Sequence, residues 1–181
     1  MGLAMSKHIA GHVSWAAIGS LLVLSACNGV GFSTSASNSF AATYFQARTA
    51  LEAGNFDTAA SRYDAMLANA GPLETRLRLE KAHALLRADR YASAAQEARA
   101  VAASHTDDRR AAALAVVGTA EHRMAQEAMT KGDFGAVTIG HLGRARAALT
   151  EMLQTAPELD PLGAMAQRLT MIDASLKNLG T

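Results

Sequence analysis

The chain has one cysteine, Cys27, in 181 residues. A lone thiol excludes an internal disulfide framework and any metal cluster built on cysteines. There are only three prolines, and aromatic residues make up 5 % of the chain. No long Val-, Ile- or Thr-rich alternation is present to supply strands. Charge is close to balance, with 17 Lys and Arg against 16 Asp and Glu. No basic stripe with interleaved aromatics marks a nucleic-acid surface. The apolar stretch VSWAAIGSLLVLSA, residues 13–26, would rise about 21 Å as a helix, short of a hydrocarbon core of roughly 30 Å.

What is abundant is alanine. Half of the residues are hydrophobic, so a core can form. Alanine has the best helix propensity, with leucine, arginine, glutamine and methionine close behind. The composition predicts an all-α protein with room for one domain and a targeting segment.

Lys7, His8 and His12 precede the short apolar stretch, and small residues end it. That order describes a secretory signal peptide over residues 1–26. Its close, Leu24-Ser25-Ala26-Cys27, resembles the lipobox of bacterial lipoproteins. The resemblance implies cleavage before Cys27, a diacylglyceryl group on its thiol and acylation of its new amino group. Several acyl chains anchor stably where one does so marginally. A secretory peptide or an uncleaved anchor with an incidental cysteine is the plainer alternative. Asn28 follows the cysteine where aspartate often retains lipoproteins in the inner membrane, which points to the outer membrane facing the periplasm. Residues 27–39, uncharged and rich in Gly and Ser, read as a flexible tether.

The remainder repeats itself. LEAGNFDTAASRYDAML (51–67) lies over LRADRYASAAQEARAVA (86–102), placing Leu51 on Leu86, Phe56 on Tyr91, Ala59 on Ala94 and Ala60 on Ala95. TKGDFGA (130–136) brings the turn a third time. The pattern resembles the tetratricopeptide repeat, a helical hairpin of about 34 residues. Ala47, Ala82 and Ala125 fit its small helix-contact position. Gly54 and Gly132 fit the glycine ending the first helix, with Asp89 in the middle copy. Phe56, Tyr91 and Phe134 fit the aromatic beyond the turn, Ala59 and Ala94 the alanine of the second helix, and Tyr63 the large residue one turn later. Pro157 fits the closing proline. The copies also depart from the pattern. Thr43, Arg78 and Glu121 stand where an early aromatic belongs, and Ala98 lacks the bulk of Tyr63. The third copy's second helix is displaced or extended.

The resemblance implies an α-solenoid of about three degenerate hairpins over residues 40–157, closed by a capping helix within 158–181. An ordinary helical bundle is the alternative for so alanine-rich a chain. Helices are expected at 40–53, 57–70, 73–88, 92–104, 108–131, 138–155 and 161–179. In the last, Leu162, Met165, Leu169, Ile172, Leu176 and Leu179 form an apolar stripe. Asp160 is expected to cap it, with Pro161 in the first turn. Its polar face has only Arg168 and Lys177, too few cations for a membrane-surface helix.

Candidate chemistry is thin. Glu80 and His83 give one E-x-x-H, whereas a di-iron bundle needs two and two further glutamates. Glu121-His122 lacks the partner spacing of a metalloprotease. Asp107-Asp108 reads as helix capping. Ser104-His105 has no acid partner or oxyanion motif, and no Lys-Ser/Thr follows the glycines of 132–143. The expectation is a protein that is not an enzyme and uses no metal or cofactor beyond lipid on Cys27.

Weight then falls on surfaces. The repeat family lines a concave groove with its first helices, which here puts Tyr44, Arg48, Glu52, His83, Arg87, His122 and Gln126 in the candidate partner groove. The same residues could equally be a solvated face. The expected protein is a lipid-anchored adaptor that binds another envelope protein or peptide segment. It resembles pilus-assembly lipoproteins, including those of tight-adherence pili, and secretin pilotins. A self-associating structural lipoprotein is the alternative, and an accessory to cell-wall enzymes a third.

Overall fold

A computed structural model describes residues 34–180. Among them the chain is helical and holds no strand. In order come α1 (Thr34–Glu52), α2 (Phe56–Leu67), α3 (Glu74–Arg87), α4 (Tyr91–Ser104), α5 (Asp108–Thr130), α6 (Ala136–Thr155) and α7 (Ala164–Asn178), with 3-10 turns at Gly71–Leu73 and Pro157–Leu159. Each helix packs on the next in sequence, and α5 also touches α3 and α7. Cys27 and the lipobox residues Leu24, Ser25 and Ala26 lie outside the described residues.

One turn recurs three times. Gly54, Asp89 and Gly132 all take positive φ, +80°, +59° and +82°. In each, the next residue donates its N–H five residues back: Asn55 to Ala50 O at 2.8 Å, Arg90 to Leu85 O at 2.9 Å and Asp133 to Ala128 O at 2.9 Å. The left-handed residue itself donates to Leu51, Leu86 or Met129. This is the Schellman arrangement, which satisfies the last carbonyls of a helix. Asp89 holds a conformation that favours glycine, and its carboxylate accepts from the Tyr91 hydroxyl.

Small side chains set the helix spacing. Ala47, Ala82 and Ala125 are fully buried, as are Ala59 and Ala94. Tyr63 is buried too and meets Tyr44 edge-on, with ring centroids 6.2 Å apart. The tightest approach joins α5 to α6. A Cβ on Gly118 would fall 2.5 Å from Leu149 Cγ.

The structure differs from the sequence expectations in four places. First, α1 starts at Thr34, inside the stretch read as a tether, since Ser and Asn do not by themselves prevent a helix from extending outward. Second, Phe134 is 57 % exposed and does not plug its hairpin. It stands two positions before the first residue of α6, whose cap is Gly135, whereas Phe56 and Tyr91 are themselves the first residues of α2 and α4. Thr138 is buried in its stead and donates to Asp133 O at 2.8 Å. Third, α7 begins at Ala164, with left-handed Gly163 as its cap residue. Asp160 still caps it from a distance, accepting from Met165 N and Ala166 N at 3.0 Å. Leu162 is left outside the helix and 93 % exposed, so the apolar stripe starts at Met165. Fourth, Arg168 points inward to His122 rather than lying on the polar face.

Two apolar cores result. One runs from α1 to α6, and a smaller one joins α5, α6 and α7 around Leu142, Leu149 and Ile172.

Candidate functional site

The candidate surface is the one shared by alternate helices: α1, α3, α5 and, beyond them, α7. Helical spacing places Tyr44, Arg48 and Glu52 on one stripe of α1, His83 and Arg87 on one stripe of α3, and His122 and Gln126 on one stripe of α5.

Glu80 organises the first part of this face. Its carboxylate accepts from Tyr44 at 2.7 Å, Tyr63 at 2.6 Å, Arg76 at 3.2 Å and Arg48 at 3.5 Å. Burial by itself would raise its pKa. The hydrogen bonds from Tyr44, Tyr63 and Arg76 outweigh that, and the carboxyl sits below its ordinary value. Burial and Glu80 together push the Tyr63 hydroxyl up. Two of the expected groove residues, Tyr44 and Arg48, are therefore also structural ties between α1 and α3. Arg48 makes a second pair with Glu52 at 3.2 Å.

His83 and Arg87 are exposed. Desolvation by the surrounding chain holds the His83 imidazole below 6.5, and Glu80 partly offsets it. Arg87 stacks its guanidinium 4.5 Å over the Phe56 ring, which fixes it at the turn between α1 and α2.

On α5 the expectation fails for one residue. His122 is 2 % exposed, so it faces the interior and offers a partner no direct contact. Its Nδ1 lies 3.3 Å from an Arg168 guanidinium nitrogen. Burial first, then the charges of Arg168 and Arg123, depress its pKa to about 4. Gln126 is half-buried, and its Oε1 is buried with no hydrogen-bond partner.

The sequence also concealed a second buried carboxylate. Glu121 is 1 % exposed and gathers Arg99 from α4 with His141 and Arg144 from α6, the latter two at 2.6 and 3.1 Å. The signal was its position. Glu121 and Arg78 both occupy the place of an early aromatic, and each instead reaches the second helix of its own hairpin through charge. Arg78 pairs with Glu97 at 3.0 Å. Ionic ties replace an aromatic wedge in both.

Among the described residues no group of three or more His, Cys, Asp or Glu could hold a metal ion. No helix among them is long and apolar enough to cross a membrane. Ser104 and His105 meet at 2.9 Å, and His105 Nε2 lies 3.1 Å from the Thr75 hydroxyl. Among the described residues no carboxylate orients that histidine, as a nucleophile's base would need. Asp107 acts as a helix cap, accepting from Arg109 N at 3.1 Å. The chain matches no protein-family model, no curated protein and no solved structure.

Proposed function

We propose that this chain is a lipid-anchored adaptor of the bacterial envelope. Cys27 carries the lipid, the outer membrane is the anchor site, and the helical domain binds another envelope protein from the periplasm. The machine it serves is of the pilus-assembly or secretion class. In this reading α1–α6 are three degenerate tetratricopeptide-like hairpins stacked as a short solenoid, and α7 covers the open end of the core, as terminal elements of such arrays do.

The observation that carries the reading is the thrice-repeated left-handed turn at Gly54, Asp89 and Gly132. It makes α1, α3 and α5 equivalent elements, and their shared face is polar, with Arg48, Glu52, His83, Arg87 and Gln126 at its surface. A face of this kind suits an extended segment or a helix held by hydrogen bonds and charge. Confinement by lipid raises the adaptor's effective concentration near a membrane partner, which strengthens a modest contact without adding new ones.

Crosslinking in cells followed by mass spectrometry tests the reading. Native protein captures a defined envelope partner, and Arg87→Glu, which leaves the Glu80 network intact, weakens that capture. Undiminished capture by Arg87→Glu and by the Arg48→Glu/Arg87→Glu double variant would remove this face from the proposal. Cys27→Ala abolishes incorporation of labelled palmitate and blocks processing; unchanged labelling would remove the anchor.

A further inference from the structure

Nine residues before the left-handed turns at Gly54, Asp89 and Gly132 stand Phe45, Glu80 and Arg123. In α3 and α5 this position reaches back to the helix before. Glu80 accepts from the Tyr63 hydroxyl of α2 at 2.6 Å, and Arg123 donates to the Tyr91 hydroxyl of α4 at 3.2 Å. Three residues earlier the same alignment gives Ala42, Leu77 and Ala120. Leu77 and Ala120 are buried, whereas Ala42 is exposed. No described helix precedes α1, and Phe45 is 71 % exposed. Ala41, Gln46 and Thr49 are exposed beside it. The first helix thus presents to water the surface that α3 and α5 turn to a preceding helix, with a phenyl ring at its centre.

The other end of the helix row is closed. There α7 lies on α6 and buries Ile172 and Leu176 against it. Head-to-tail stacking of copies is therefore blocked, and the open face of α1 can meet only another α1. That face is self-complementary. Ala42 and Thr49 flank Phe45 one turn away on either side, and both are small enough for the ring of a second copy to pack on them. A two-fold interface needs both shapes on one surface. Charge agrees as well. No Asp, Glu, Lys, Arg or His stands between Thr34 and Ala47, and the charged residues of α1 are Arg48 and Glu52 near its end. Antiparallel helices crossing near Ala42 and Phe45 set that end beside the uncharged start of the other copy, so no like charges meet.

We infer that the outer face of α1 is a homodimer interface. Two copies pair α1 against α1, antiparallel about a two-fold axis, with each Phe45 ring on Ala42 and Thr49 of the other. The inference stands apart from the adaptor reading, since Phe45 is not one of the residues assigned to the partner face. Combined with that reading, a pair carries two partner faces, and bivalency raises avidity without new contacts.

The test is sedimentation equilibrium of the full chain in density-matched detergent micelles. Native protein forms a dimer at micromolar concentration. Phe45→Glu, which brings two carboxylates to the two-fold contact, weakens dimerisation by about tenfold or more, as loss of a central aromatic contact does. Met171→Glu, at an exposed apolar residue of α7, leaves it unchanged. Because Phe45 is exposed, its variant keeps the native helix content, which circular dichroism checks. A monomeric native protein, or a dimer that Phe45→Glu leaves equally tight, would overturn the inference. A photo-reactive phenylalanine analogue at position 45, in cells, separates the other occupants. It is expected to give an adduct of two copies of the chain. An adduct with a different envelope protein instead, or a crosslink within one chain to residues before α1, would assign the face elsewhere and overturn the inference too. Failure here with partner capture intact would discard the dimer and leave the adaptor reading standing.

Discussion

Tyr63 on α2 donates its hydroxyl to Glu80 on α3 across 2.6 Å, and Tyr44 on α1 donates to the same carboxylate. Three helices thus meet at one acid. Tyr63 is fully buried, so its phenol cannot turn to water when the bond is lost. Tyr63→Phe is expected to destabilise the chain by about 1.5–3 kcal/mol, the usual range for a hydrogen bond to a charged group. Tyr44→Phe, on a more open side chain, costs less. Urea unfolding of the two variants checks the order.

Glu121 is the stronger case. Removing it leaves Arg99, His141 and Arg144 facing one another without their shared acid. Glu121→Ala is expected to cost about 3 kcal/mol, the lower end of the range for breaking a buried pair from one side, since Arg99 and Arg144 remain half-exposed to water. Glu121→Ala combined with Arg99→Ala and Arg144→Ala recovers part of that loss, because the repelling charges leave with it. Thermal unfolding of both variants measures the difference.

Two glycines give opposite signs. At Gly118 a Cβ would meet Leu149 Cγ at 2.5 Å and Ala145 O at 3.3 Å, whereas at Gly143 nothing lies within 4 Å. Gly143→Ala gains helix propensity, about 0.5–1 kcal/mol. Gly118→Ala gains the same but overpacks a fully buried contact, and the overpacking penalty of about 1–3 kcal/mol prevails. Melting temperatures should rise for the first and fall for the second.

Much of this architecture was legible in the sequence. Alanine-rich periodicity placed five helix starts within a residue or two, because each follows a cap or turn residue with its own conformational preference. The Gly54, Asp89 and Gly132 equivalence was readable for the same reason: the turn demands a left-handed residue, and few types provide one. The failures have physical causes. Leu162 has the right spacing for the α7 stripe, but Gly163 starts the helix after it. Phe134 has the right chemistry for a plug, but it falls in the turn, two positions before α6 begins. His122, Glu121 and Arg168 are polar, and no rule of periodicity tells a buried polar side chain from a wet one. Which acid a given arginine meets is decided by helix packing, so the Glu80 network was invisible as well.

Acid should weaken the fold in two stages. The folded pKa of His122, about 4, lies below its unfolded value of about 6.5, so the unfolded chain binds more protons between those limits. The stability His122 contributes is present above pH 6.5 and is lost as pH falls toward 4. Asp107, held at about 2 by Arg109, loses its share lower, between its ordinary value and pH 2. His122→Asn reduces the first stage, to which His83 and His141, both held below their ordinary value by burial, also contribute, and leaves the second, which unfolding midpoints at a series of pH values will show.

The central claim is that the face shared by α1, α3 and α5 holds the partner. A photo-reactive phenylalanine analogue placed at His83, in cells making the full chain, tests it most directly, with the same analogue at Gln96 on α4 as the comparison. Both positions are exposed. One crosslinked envelope protein is expected from position 83 and none of it from position 96. The same adduct from both positions, or from position 96 alone, would contradict it.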